Sequence, residues 1–244
     1  MVNISDRKLK VIDLSQEIYN GMPVFPGHLP TVIFPFRKHE ETKGEIRGTK
    51  GEFSYTTFGL LMCDHGPTHV DSVWHICNEA DAPKIDEIPL EKFVTSAICL
   101  DFTHIPPKGI ISLKDLETAL KKANLTVEKG DTVLLYTGHF DRTYPKPEYL
   151  NTNPGLDRES SVYLAERGVV NIGIDATTHD SWTNIENDNF FPAHEVCGEY
   201  KFMNTENLCN LDKVAGKRFT FIGLPLKIRG GTGSPIRATA LLEE

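Results

Sequence analysis

The sequence predicts an α/β protein of one domain, built on a mixed β-sheet core. Short β-branched runs recur along the chain, helical patterns lie between them, and no internal repeat or low-complexity tract divides the 244 residues into separate units. The longest stretch rich in Pro, Gly and polar residues, 144–156, is interpreted as a loop and not as a domain boundary. We therefore expect a single domain spanning residues 1–244.

The β-strands are predicted from apolar, β-branched runs that turn residues bound on both sides. These runs lie at 10–14, 97–102, 132–137, 169–174, 219–224 and 235–241. Because predicted strands outnumber the helical patterns and interleave with them, an α/β arrangement is favoured over a sandwich or a helical bundle.

Three helices are predicted between these runs. Ser112 followed by Asp115 is typical of a capping box, and the apolar repeat that comes next predicts a helix over 113–123. A second helix is expected over 159–167, where it ends before a glycine, the residue that best accepts the left-handed backbone after a helix. A short third helix is expected over 205–211.

The composition argues against several classes of function. Lys and Arg number 26 against 34 Asp and Glu, a net charge of −8, which disfavours binding to nucleic acid phosphates. No apolar run reaches the length of about 18 residues that a membrane helix needs, and the first ten residues are too polar for a secretory signal. Five scattered cysteines without a CxxC pair are not typical of a disulfide framework. We expect a cytoplasmic protein with neither a nucleic acid nor a membrane partner.

One short segment, CDHGPTHVDSVWH, contains His65, His69, Asp71 and His75. Imidazole and carboxylate together suit a divalent transition metal such as zinc, manganese or iron. In an extended strand, His69 and Asp71 share a face about 7 Å apart at Cα, whereas His65 would lie about 13 Å from His69. The chain must therefore bend at the Gly-Pro pair between them if all three are to share one ion.

His75 is a candidate for a free imidazole beside the ion, able to move protons near neutral pH, and not for a fourth ligand. Two alternatives stay open at this point. The histidines could be hydrogen-bonded residues of the core or of a loop. Cys63 and His65 could instead form a nucleophile and base pair, although no third group that would orient them is evident.

The pattern His65-x3-His69-x-Asp71-x3-His75 resembles the signature of the cyclase family of metal-dependent hydrolases, which includes kynurenine formamidases and isatin hydrolases. Further segments resemble the family in the expected order and extend the likeness over nearly the whole chain. These segments are 12–15, 21–27, 130–138, 164–168, 173–175, 192–194, 206–208, 224–228 and 233–237.

The resemblance implies a set of metal ligands. His65, His69 and Asp71 would bind a first divalent ion, and Asp71 would bridge to a second ion held by His194 and Glu206. Zinc or manganese is expected, with one or two ions in each subunit. A carboxylate has two oxygens and can bridge two ions, so this set agrees with the chemistry of its residues.

The resemblance also implies the catalytic and substrate-binding residues. It assigns proton transfer to His75 and an aromatic substrate contact to Phe25. It further implies a swivelling β/β/α fold and a homodimer or higher homo-oligomer in which subunits contribute to each other's pockets.

The function implied is hydrolysis of an amide C–N bond in a small aromatic substrate by metal-activated water. A cyclic amide such as isatin and an acyclic amide such as N-formylkynurenine are the two candidate substrates. The alternative is a non-catalytic member of the same fold that binds a metal or a small ligand, and the presence of His75 argues against it.

Two departures from the family pattern concern the substrate pocket. Val73 and Trp74 precede His75 where the family often has a proline, and His28 occupies a place where aspartate is common. They indicate a larger or more aromatic pocket, for which the candidate walls are Trp74, Phe25, Phe190, Phe191 and Trp182.

Two further polar segments carry weaker signals. The Gly-rich stretch 229–235 lacks the Gly-Lys-Ser/Thr of a phosphate loop, and we expect it to form a tight turn near the site. Asp175, His179 and Asp180 follow a predicted strand. They either orient metal ligands or belong to a polar loop.

Overall fold

A computed structural model of the chain describes residues 2–4, 7–44, 53–187 and 190–243. Within these ranges the strands are β1 (Val2–Ile4), β2 (Arg7–Asp13), β3 (Val32–Arg37), β4 (Thr57–Leu61), β5 (His69–Asp71), β6 (Val94–Asp101), β7 (Ile110–Ile111), β8 (Thr132–Tyr136), β9 (Gly155–Leu156), β10 (Asn171–Ile174), β11 (Met203–Glu206), β12 (Arg218–Ile222), β13 (Gly233–Pro235) and β14 (Thr239–Glu243). The α-helices are α1 (His39–Thr42), α2 (Leu113–Ala123), α3 (His139–Thr143), α4 (Arg158–Glu166), α5 (Trp182–Glu186) and α6 (Pro192–Tyr200).

Ten strands form one sheet in the order β1-β2-β14-β12-β6-β8-β10-β11-β5-β13. The central pairs β6–β8, β8–β10 and β10–β11 are parallel, and the other neighbours are antiparallel. Strands β3 and β4 form a separate hairpin, and β7 pairs with β9. The predicted α/β class with a mixed sheet is therefore confirmed.

The central strands are buried on both faces of the sheet. In β8, Val133 and Leu135 join an apolar cluster with residues of α2, α4 and α6. Leu134 points to the opposite face, where it joins a second cluster that includes Phe221 of β12. Because successive residues of a strand face opposite ways, an uninterrupted apolar run is what a strand covered on both sides requires.

The predicted start of α2 and the predicted end of α4 are confirmed. The Ser112 hydroxyl accepts a hydrogen bond from the Asp115 N–H at 3.3 Å, and the Asp115 carboxylate accepts one from the Ser112 N–H at 2.9 Å. This is the reciprocal capping box that the sequence predicts for α2. Gly168 follows α4 with φ of +76°, the left-handed backbone expected after that helix.

The predicted helix over 205–211 is wrong. Met203–Glu206 is strand β11, and a short 3-10 turn follows at Leu211–Lys213. β11 bonds on one side to β10 and on the other to β5, so tertiary pairing satisfies its backbone. Asn207 and Asn210 have φ of 59° and 57°, a left-handed backbone that a right-handed helix does not contain.

The strand predicted over 235–241 is divided. Pro235 ends β13, which pairs with β5, whereas β14 begins at Thr239 and lies between β2 and β12. A proline has no N–H to donate to a sheet, which is consistent with the strand ending at this residue. In the part of the chain that the structure describes, no helix has the length and apolarity to cross a membrane.

Candidate metal centre

Two neighbouring strands place four polar side chains on one face of the sheet. In β5, His69 and Asp71 are two residues apart and point the same way. In β11, Glu206 lies opposite His69 and Asn204 lies opposite Asp71. The His69 Nε2 is 3.3 Å from Asp71 Oδ1 and 3.5 Å from Glu206 Oε2. One potential ligand atom from each of His69, Asp71 and Glu206 lies within 4.8 Å of the other two.

His65 reaches the same cluster because the chain turns back before β5. Its Nδ1 is 2.7 Å from Asp71 Oδ1, and its Nε2 is 2.7 Å from the hydroxyl of Thr232. Thr232 belongs to the Gly-rich stretch 229–235, which lies beside the cluster as the sequence predicts, but only its first part is a turn and its last three residues form β13. Thr232 also donates a hydrogen bond to Asp64 at 2.6 Å. The Thr232 hydroxyl, held by this carboxylate, therefore helps to orient the His65 ring through its Nε2.

His194 enters from α6, a helix that the sequence patterns did not predict. Its Nε2 is 3.3 Å from Glu206 Oε1 and 3.6 Å from Asp71 Oδ2. Its Nδ1 contacts the carboxylate of Asp180, which also accepts the Ala193 N–H at 2.6 Å at the start of the helix. Of the two roles open to Asp180, the structure therefore favours orienting His194.

His75 lies on the short 3-10 turn Val73–His75 that follows β5. Its ring centroid is 3.9 Å from that of His65, and ligand atoms of His65, Asp71 and His75 lie within 4.8 Å of one another. The side chain is half-buried. Burial lowers the pKa of His75 to about 4, against the weaker opposing effect of the Asp71 charge, so the imidazole is neutral at pH 7.

The two carboxylates of the cluster are buried and ionised. Burial alone raises the pKa of Asp71, but contacts with His194, His65 and His69 hold it well below its usual range. Burial likewise opposes ionisation of Glu206, whose pKa is lowered by His179 and His194. Among the described residues that line the surrounding cleft there is no Lys or Arg. Buried imidazoles and carboxylates without a cationic side chain fit a divalent cation.

The cluster opens into a cleft of about 360 Å³. Phe25, Phe190 and Phe191 line it, together with His28, whose buried Nδ1 has no hydrogen-bond partner among the described residues. Other lining residues are His65, His69, Asp71, His75, Ile76, Thr177, Thr178, His194, Glu195 and Glu206.

Two aromatic residues suggested as pocket walls do not line this cleft. Trp74 is 38% exposed and stacks under the Lys84 ammonium at 5.3 Å, and Trp182 lies edge-on to Phe25 at 6.4 Å between ring centroids. The nucleophile alternative is also disfavoured, because burial raises the pKa of the Cys63 thiol and keeps it protonated.

Sequence reasoning missed Asn204 and left the role of His179 open. The Asn204 amide lies among Asp71, Glu206 and His194. The His179 ring is fully buried behind the cluster, with Nδ1 3.7 Å from Glu206 Oε1. A strand prediction at 203–206 would have placed Asn204 on the same face as Glu206, since the two are two residues apart, but not opposite Asp71.

Fold and cleft together define a mixed α/β protein with a buried histidine and carboxylate centre suited to a divalent cation. The chain belongs to the Cyclase family, whose model matches residues 12–181. It is 28% identical over 228 residues to a kynurenine formamidase of Bacillus cereus, covering 93% of this chain and 95% of that protein.

Solved structures support the same fold. A crystal structure of an isatin hydrolase bound to the product analogue thioisatinate has a TM-score of 0.85 at 20% identity, covering 97% of this chain and 93% of that one. A protein from Bacillus stearothermophilus, described as a predicted metal-dependent hydrolase, has a TM-score of 0.72 at 23% identity, covering 96% and 98%. The α/β architecture expected from the family resemblance is thereby confirmed.

Proposed function

We propose that this chain is a metal-dependent hydrolase that cleaves the amide C–N bond of a small aromatic substrate. The observation that carries the proposal is the convergence of His65, His69, Asp71 and Glu206 at the base of one cleft, with His75 beside them. Family membership and relatives named as a formamidase and as hydrolases support the same class of reaction.

We assign the catalytic cation to His65, His69 and Asp71, with Glu206 adjoining. When bound, a divalent cation polarises a substrate carbonyl and lowers the pKa of water towards neutrality. Zinc and manganese both accept nitrogen and carboxylate ligands, so the donor set is compatible with either. The family resemblance adds a second set of ligands around Asp71, made of Glu206 and His194.

His75 is the proposed proton-transfer residue. Its ring is neutral at pH 7, because burial lowers its pKa to about 4, and it therefore has a nitrogen lone pair free to accept a proton from water. In the net reaction the carbonyl carbon gains a hydroxyl group, the C–N bond breaks and the nitrogen takes up a proton. An amide nitrogen leaves poorly without that proton, so we assign its delivery to His75.

Aromatic side chains support the proposed substrate class. Phe25 and Phe191 have ring centroids 6.4 Å apart, and Phe191 meets His194 edge-on at 5.6 Å. Together with Phe190 they offer an apolar, aromatic lining next to the polar cluster. A planar substrate of the size of isatin or N-formylkynurenine would bury its ring against these residues and present its amide to the metal ligands.

The proposal is tested by measuring hydrolysis of both amides and bound metal in two variants. His75→Ala should lower kcat by about 10² to 10⁴ and leave metal content unchanged, because a general acid-base residue contributes roughly that factor. His69→Ala should lose the metal. His104→Ala is the control, since that side chain is 61% exposed and its ion pair is with Asp115, outside the cleft.

Two outcomes would contradict this assignment. A fully active His75→Ala protein would remove the proposed proton-transfer role, and loss of metal from that variant would make His75 a ligand. Binding of metal by the wild-type chain without turnover of any amide would favour the non-catalytic alternative.

We also propose a homodimer in the cytoplasm. The hairpin of β3 and β4 exposes apolar side chains that a partner subunit would cover, Phe36 and Phe58 being 67% and 63% exposed. Light scattering on the purified protein tests the dimer: we expect twice the chain mass for the wild type and a monomer for Phe58→Asp. Cell fractionation tests the location.

A further inference from the structure

The side-chain amide of Asn204 occupies the centre of the ligand set linked to a second cation. Its Nδ2 donates to Asp71 Oδ2 at 3.0 Å and to Glu206 Oε1 at 2.8 Å. The same nitrogen lies 3.2 Å from His194 Nε2. An amide nitrogen has two hydrogens, so both are used on the two carboxylates.

The contacts of Asn204 specify which way its amide faces. Asn204 is 1% exposed, and its Oδ1 is buried with no hydrogen-bond partner among the described residues. The opposite orientation would turn this oxygen towards the two carboxylate oxygens, with no hydrogen between them. The orientation with Nδ2 inward is therefore the one that satisfies Asp71 and Glu206 when no cation lies between them.

His194 lies beside both of these carboxylates, where the family resemblance places the second ion. The His194 Nε2 is 3.3 Å from Glu206 Oε1 and 3.6 Å from Asp71 Oδ2. An ion held by these three side chains would need Asp71 Oδ2 and Glu206 Oε1, the two oxygens that Asn204 Nδ2 already contacts. The hydrogens of that nitrogen point to the carboxylates that the ion would need, so the two cannot share the position.

We infer that the amide of Asn204 takes the place of a second cation, so that each chain binds one ion. The amide offsets the negative charge of the two carboxylates in place of a second cation, because its two N–H groups bridge the outer oxygens of Asp71 and Glu206. Their other oxygens remain directed to His69, at 3.3 and 3.5 Å. The inference rests on the proposed function in one respect, which is that the first cation binds.

The experiment counts ions per chain. Wild type, Asn204→Ala and Asn204→Asp are stripped of metal, refilled with Mn²⁺ or Zn²⁺, passed through a desalting column and analysed by elemental mass spectrometry. We expect one ion for the wild type and two for each variant, because alanine removes the N–H groups and aspartate replaces them with a carboxylate that requires a cation. In Mn²⁺-loaded protein, the electron paramagnetic resonance spectrum of two coupled Mn²⁺ ions should appear in the two Asn204 variants and not in the wild type.

Asn171→Ala is the matched control. Asn171 is a buried asparagine on β10, where its Oδ1 accepts the Thr205 hydroxyl at 3.0 Å, and this variant should keep one ion. Two ions in the wild type would overturn this inference alone, as would one ion or none in a folded Asn204→Ala protein, which would make the asparagine a ligand or a bystander. A wild-type chain that binds no ion would overturn both this inference and the proposed function.

Discussion

Asp175 offers a sharp prediction because its environment makes ionisation unfavourable. It follows β10 and is 1% exposed. One oxygen accepts hydrogen bonds from the Thr137 N–H at 2.9 Å and the Thr137 hydroxyl at 2.6 Å, while the other is buried with no partner among the described residues. Burial raises the pKa of Asp175 to about 6 from its ordinary value of 3.8, and the two hydrogen bonds oppose this rise only in part.

The sign of the effect on stability follows from proton binding. Between about pH 4 and pH 6 the folded chain holds the Asp175 proton that the unfolded chain has lost, so stability falls as the pH rises through this window. The rise of about two pKa units corresponds to about 3 kcal/mol in total, of which about 2 kcal/mol falls between pH 4.5 and pH 7.5. An asparagine at this position does not titrate, so Asp175→Asn should lack this loss.

The assay is urea unfolding of the wild type and Asp175→Asn at about pH 4.5 and about pH 7.5. Relative to the wild type, the variant should gain about 2 kcal/mol on going to the higher pH. A stability difference that does not change with pH would refute the reasoning. Asp13→Asn is the control. Its stability relative to the wild type should change with pH in the opposite direction, because Arg237 holds the pKa of Asp13 below its usual range against the opposing effect of burial.

Two further substitutions test the support of the site. Gly233→Ala should weaken metal binding by about tenfold or more, because its Cβ would lie 2.8 Å from His65 Cε1 and 2.9 Å from a backbone oxygen; titration with Mn²⁺ measures this. Tyr149→Phe should destabilise the fold by about 2–4 kcal/mol in urea unfolding, because the lost hydroxyl leaves buried polar atoms of Gln16 and Asn207, each now 2.7 Å from it, without a partner.

A matched glycine provides the control for the metal titration. An added Cβ at Gly198 would meet its nearest neighbours at 3.5 Å, an ordinary contact, so Gly198→Ala should bind metal as the wild type does. Equal affinities for the Gly233 and Gly198 variants would contradict the argument from close packing. For Tyr149→Phe, an unchanged unfolding free energy would show that other groups satisfy both amides.

Local features of the fold were predictable wherever neighbouring residues carry the information. The capping box at Ser112 and the left-handed glycine after α4 depend on interactions within a few residues, and the structure contains both. The central strands were predictable because a strand covered on both faces requires an uninterrupted apolar run. The helix predicted over 205–211 failed because the polar residues of β11 owe their conformation to pairing with β10 and β5.

The sequence by itself determined that His69 and Asp71 share a face of a strand, since side chains alternate along β5 whatever that strand pairs with. It also placed a bend between His65 and the strand. Only the tertiary structure decided what meets them. The register of β11 on β5 brings Asn204 opposite Asp71 across 133 residues of sequence, and α6 delivers His194. Side-chain alternation depends on one strand, whereas register depends on two. No local pattern therefore shows which side chain contacts the outer oxygen of Asp71.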